Sequence, residues 1–139
     1  MKKLIGLLML AMVLVLAACG GSSAGKDLTV DEVVQSFKDA GLEVGSIEEL
    51  GKDEFGNIRK EGKRVLIPSL GEDSGGRLMS FGKEKDLETA KAYYDELSNA
   101  GPMFFSHTHQ SGLFLLQMNG DMEDAEFEKY AKVMDSAIK

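Results

Sequence analysis

Apolar residues along this 139-residue chain change their period several times, and each change marks an element. Val30, Val33, Val34 and Phe37 recur at helical spacing,. Thr29-Val30-Asp31-Glu32 before them forms a capping box, and Gly41 stands where a helix closes,. A helix is expected over about residues 30–40. Leu42 to Gly45 opens a mixed stretch of weak strand character, and residues 51–63, rich in Gly, Asp, Glu and Lys, read as an exposed loop. Lys63 to Ile67 is a short buried strand stopped by Pro68,. Ser69 to Gly76 is a turn, and Arg77 to Phe81 returns as the partner strand of a hairpin. The helical period resumes after Asp86, read as the N-cap, with Leu87, Ala90, Tyr94 and Leu97 on one stripe and Gly101-Pro102 as the stop,. Met103–His109 and Gly112–Asn119 read as two strands around the hairpin signal Gln110-Ser111-Gly112,. Asn119-Gly120 breaks the second, and Asp121 caps a last helix with Phe127, Tyr130, Ala131, Met134 and Ile138 inward,. Strands that follow one another directly pair antiparallel, so the expectation is an α+β, two-layer domain: a mostly antiparallel sheet with three helices on one side, in the order helix, strands, helix, hairpin, helix.

The apolar run from Leu4 to Leu16 obeys none of these periods. It follows Lys2 and Lys3, is shorter than the ~20 residues of a spanning helix, and ends in small residues before Cys19, which is a secretory leader's pattern,. Leu16-Ala17-Ala18-Cys19 also resembles the lipobox of bacterial lipoprotein signal peptides. That resemblance implies diacylglyceryl transfer to the Cys19 sulfur and cleavage just before it. A plain secreted chain with a chance cysteine, or an uncleaved anchor, are the alternatives. The expected organisation is a signal peptide over 1–18, a flexible tether over 19–26 (Gly20-Gly21-Ser22-Ser23-Ala24-Gly25 within it), and one domain over 27–139,.

Removing the leader leaves 121 of the 139 residues and takes the 16 basic residues to 14 against 23 acidic ones, a net charge of −9. A body this acidic is repelled by phosphate backbones, so no nucleic-acid partner is expected. Cys19 is the only cysteine, which excludes an intrachain disulfide and a cysteine-rich zinc site,. It stands where lipid chemistry needs it, and two acyl chains give the durable attachment that one does not. The chain is thus expected at a cell membrane, lipid-anchored on the extracytoplasmic face.

Candidate chemistry is sparse. His107 and His109 are the only histidines and sit two apart in an expected strand, so both imidazoles share a face and can reach one metal ion, with Glu, Asp or Met103 as a third ligand,. The plainer reading places them as strand-end residues beside a turn. Ser106 points away from His107, and no Gly-x-Ser-x-Gly elbow exists, so a nucleophilic triad is not formed,. Glu72 and Asp73 lie in a Gly-rich turn where acids are ordinarily solvated, and Ser69 to Arg77 lacks the Gly-Lys-Ser/Thr of a phosphate loop,. Arg77 can hold a carboxylate from an adjacent strand. No catalytic residue and no cofactor site is assigned.

Phe37 to Val44, Ile67 to Asp73 with Gly75-Gly76-Arg77, Tyr93 to Leu97, and Gln117 to Gly120 together resemble a group of small lipoproteins of Bacillus-like bacteria loosely labelled stress proteins. The resemblance covers most of residues 30–135 and implies an envelope role without an activity, cofactor or substrate. His107 and His109 fall where that group carries bulky apolar residues. Two functions are in view: a lipid-tethered binding or interaction module with an envelope protein or glycan partner, contacting it through the exposed sheet face or the Glu72–Arg77 hairpin; or a metal-binding or hydrolytic envelope protein using His107 and His109.

Overall fold

The structure is a computed structural model that describes residues 27–139. Its elements are α1 (Val30–Asp39), β1 (Ile47–Glu49), β2 (Arg59–Leu66), β3 (Gly75–Phe81), α2 (Glu84–Ala100), β4 (Ser106–Ser111), β5 (Phe114–Asn119) and α3 (Asp124–Ala137). The strands form one five-stranded sheet in the order β1-β2-β3-β5-β4, every neighbour antiparallel. The domain is α+β, with three helices and the expected order. β3 and β4 run parallel to each other with β5 between them, so β3–α2–β4 is a split β–α–β unit,. Such a parallel connection needs a long crossover, and α2 supplies it.

That crossover corrects the placement of all helices on one side. Successive strand residues point to opposite faces. Val65, Ile67, Leu78, Phe114, Leu116 and Met118 pack with α1 and α3, whereas Met79, Phe81 and Leu115 pack with Leu87, Ala90 and Tyr94 of α2. Neighbours Leu115 and Leu116 are both fully buried, each in a different layer. The sheet therefore lies between α1 and α3 on one face and α2 on the other. Strands buried on both faces read as continuous apolar runs, which is how Phe114-Leu115-Leu116 escapes alternation.

Local chemistry accounts for most boundaries. Thr29 Oγ1 accepts from the Glu32 amide at 3.2 Å, and a Glu32 carboxylate oxygen accepts from the Thr29 amide at 2.7 Å, so the capping box is formed. Gly41 follows the helix at φ 78°, a left-handed position that glycine occupies without steric penalty,. A two-residue connection, Gly112-Leu113, joins β4 and β5 with Gly112 at φ 53°,. Several boundaries differ from expectation, those of β2, α2 and α3 among them. β2 begins at Arg59, not Lys63, because its polar first half pairs with the end of β3 across a bulge between Arg59 and Glu61. α2 begins at Glu84 with Lys83 as N-cap, so Asp86 lies inside the first turn. α3 begins at Asp124 with Glu123 as N-cap; Asp121 instead donates its amide to Asn119 Oδ1 at 2.8 Å in the preceding turn. Among the described residues no helix is long and apolar enough to cross a membrane.

Candidate binding cleft

Cys19 lies outside the described residues. His107 and His109 both sit on β4 and face α3, but each ring has its own partner. His107 is buried; its Nε2 donates to the Met122 carbonyl at 2.7 Å, its ring stacks on Phe127 at 4.7 Å, and Nδ1 stands 3.7 Å from Asp124. A carbonyl only accepts, so Nε2 carries the proton and is committed. His109 Nε2 meets Asp135 Oδ1 at 2.8 Å, and that imidazole holds the Asp135 carboxyl below its ordinary value. Among the described residues no group of three or more histidine, cysteine or acidic side chains gathers in a metal-binding arrangement. Ser106 points to the other face, where its amide donates to Ser98 Oγ of α2.

The more open arrangement lies at the end of the α2-facing sheet surface that α2 does not cover. A cleft of about 220 Å³ opens there, floored by Arg64, Arg77 and Gln117 and flanked by the Asp73–Gly76 end of the hairpin. Its lip is Met103, Phe104 and Phe105, with 86 %, 50 % and 45 % of their surface exposed. These three were expected to begin a strand. Instead Pro102–Phe104 forms a 3-10 turn, held by Phe104 donating to the Gly101 carbonyl at 3.0 Å and Phe105 to Pro102 at 3.2 Å. Proline fixes the first position of such a turn and contributes no amide to a ladder. The turn packs tightly on Gly120, where an added Cβ would lie 2.5 Å from the Phe105 carbonyl oxygen.

Arg64 and Arg77 stand directly opposite each other in the β2–β3 register. Like charges in such a pair repel, so each guanidinium must find compensation. Arg64 pairs with Glu48 at 3.2 Å and also donates to the Asp73 carbonyl. Arg77 Nε pairs with Glu54, and its Nη1 donates to Gln117 Oε1 at 3.2 Å. Glu54 is itself held in place: Arg59 donates to the carbonyls of Glu54, Leu50 and Gly51 at 2.9, 3.0 and 2.9 Å, pinning the loop that carries it. Phe55, next in that loop, has φ 61°, a left-handed conformation costly for a residue with a Cβ,. Its ring packs edge-on against Tyr93 and Tyr94 at 5.4 and 5.8 Å, which fastens the loop over α2. Burial pushes the Tyr94 hydroxyl above its ordinary value, with the Arg77 charge working against that rise.

On the cleft floor the unengaged groups among the described residues are donors, while the Asp73 carboxylate on the rim is an unengaged acceptor. Among the described residues, Arg77 Nη2 and the Gln117 side-chain nitrogen have no hydrogen-bond partner, and both are open to solvent. Both are donors only. The floor thus offers donors whose two guanidinium charges are already paired with Glu48 and Glu54, and the lip beside it offers apolar surface. Arg77 is expected from the sequence to hold a carboxylate from an adjacent strand; the carboxylate it holds, Glu54, comes instead from the loop before β2. Arg64, Gln117, Phe104 and Phe105 were not singled out in the sequence. The sequence signal for the lip was Gly101-Pro102, which starts a turn more readily than a strand,.

Compared with protein-family models, with curated proteins and with solved structures, the chain matches none.

Proposed function

We propose that this chain is a lipid-tethered, extracytoplasmic binding module of the cell envelope, with the Arg64–Arg77–Gln117 cleft as its ligand site. The observation that carries the reading is the cleft itself: unpaired donors on a partly buried floor beside a lip of exposed Met103, Phe104 and Phe105. Binding sites gather a few converging polar groups in a concave place, and this cleft does so, with a mostly polar lining and the apolar lip beside it,. The lipobox-like Leu16-Ala17-Ala18-Cys19 and the short Gly/Ser tether support attachment through a lipid on Cys19. A net −9 on the tethered body then holds it off anionic head groups,.

Mass spectrometry of the protein extracted from its own membranes tests both halves. Under denaturing conditions the chain should begin at Cys19 and carry a diacylglyceryl mass there, and Cys19→Ser should appear as unmodified precursor or soluble chain. Under native conditions a bound small molecule should add a discrete mass. Ser74→Trp, which fills the cleft from its rim, should remove that mass while leaving the thermal transition in place. A bare Cys19 sulfur overturns the anchor; no added mass, or one that survives Ser74→Trp, overturns the cleft.

A further inference from the structure

The geometry points to the chemical class of that ligand: a small amphipathic anion, a phosphate or carboxylate head on a short apolar stem, with the head on Arg64, Arg77 and Gln117 and the stem against Phe104 and Met103. The inference rests on reading the cleft as the ligand site and goes beyond it by naming what the site selects.

The head follows from the donor set. Two arginines are brought face to face by strand register; Glu48 and Glu54 compensate their charges, and the remaining guanidinium N–H groups stay available to an acceptor,. Glu48 and Glu54 approach from outside the cleft, each taking one edge of one guanidinium. The edge of Arg77 left over and the amide of Gln117 point at no acceptor among the described residues. A neutral sugar can accept from these N–H groups through its hydroxyl oxygens, but it brings no charge to meet the guanidinium groups. An oxyanion accepts from all of them, and a planar guanidinium matches two of its oxygens at once. Asp73 rims the same cleft and offsets part of the attraction for any anionic head,.

The stem follows from the lip. Met103, Phe104 and Phe105 form a contiguous exposed apolar run beside a charged floor, rather than scattered surface residues. Clustered exposed apolar side chains mark contact with something apolar. At about 220 Å³ and with a mostly polar lining, the cleft holds the headgroup, below the roughly 300 Å³ at which drug-sized sites begin, and the stem lies outside it on the lip,. The rest of any longer stem would lie along Phe104.

The test titrates the full chain, held in phosphatidylcholine nanodiscs, with inorganic phosphate, octyl phosphate and octanoate. The readouts are calorimetry and the NMR shift of the Gln117 side-chain amide. Octyl phosphate and octanoate should both move that amide. Octyl phosphate should bind roughly tenfold more tightly than inorganic phosphate, the effect of burying about two methylenes. Arg64→Gln and Arg77→Gln should each weaken octyl phosphate by about tenfold or more, the weight of a charged hydrogen bond. Phe104→Ala should erase the advantage of the octyl stem while leaving inorganic phosphate unchanged. Arg77 also holds Glu54, so if Arg77→Gln fails to fold, Arg64→Gln and the Gln117 shift decide the matter. No Gln117 shift with any of the three anions, or shifts indifferent to Arg64→Gln, overturns the anionic head. Equal affinity for phosphate with and without the stem overturns the amphipathic one. A native-state bound mass lost in Ser74→Trp together with either result would show that the site is real and the class wrong; loss of both would bring down the site as well.

Discussion

Tyr130 reaches from α3 to the segment that follows α1, where its hydroxyl donates to the Glu43 carbonyl at 2.6 Å and its ring meets Phe37 edge-on at 5.3 Å. Burial, with the carboxylates of Glu126 and Glu43 nearby, pushes its pKa up to about 12. An unfolded tyrosine loses its proton near 10, so above that pH the folded state holds more protons than the unfolded one, and stability falls as pH rises. This contribution is whole below pH 10 and has shrunk by roughly 2 kcal/mol at pH 12,. Tyr130→Phe should therefore cost about 1 kcal/mol at neutral pH, the loss of one buried hydrogen bond. Between pH 10 and 12 the gap to the parent should close and then invert, because phenylalanine has no proton to lose. Urea unfolding of both proteins at a series of pH values measures it, and a gap independent of pH would contradict the burial-driven shift.

Among the elements, α1 carries its own start and stop, and for that reason it was readable before the fold was known. Thr29, Glu32 and Gly41 act within a few residues of one another, so nothing distant can override them. A second tie is not local: Glu61 of β2 accepts from the Val30 amide at 3.0 Å and places a carboxylate at the helix's positive end,. Thr29→Ala should lower unfolding free energy by about 1 kcal/mol, with Thr29→Ser close to neutral. Chemical denaturation reads the difference, and a loss of only a few tenths for Thr29→Ala would assign the helix start to Glu61 instead. The segment from Met103 to Phe105 shows the opposite case. Its apolar, β-prone side chains favoured a strand reading, but Pro102 and the close pass over Gly120 bend it into a turn whose side chains form the cleft's lip. The floor was equally hidden. Arg64, Arg77 and Gln117 are far apart in sequence and are joined only by the register of β2 on β3 and of β3 on β5, which spacing along the chain does not determine.

At the scale of the whole molecule, the α+β class and element order were legible from period and turn chemistry, while the number of layers was not. An antiparallel sheet ordinarily keeps one wet face, and only the crossover that inserts β5 between β3 and β4 obliges α2 to cover the second,. The consequence is that two adjacent leucines of β5 support different layers: Leu115 packs with Leu87, Ala90 and Tyr94 of α2, Leu116 with α1 and α3. With one covered face, Leu115→Ala would be a surface change worth a few tenths of a kcal/mol. With both covered, each truncation leaves a cavity, and each should cost about 2–5 kcal/mol. Unfolding of Leu115→Ala and Leu116→Ala in urea separates the cases, since comparable losses require both layers and a near-neutral Leu115→Ala would remove α2 from the sheet. The same experiment bears on the cleft, because α2 ends just before the Pro102 turn. A loosened α2 in Leu115→Ala should therefore free Phe104, while Phe105 keeps its edge-on contact at 5.0 Å with His107, which belongs to the layer of α3.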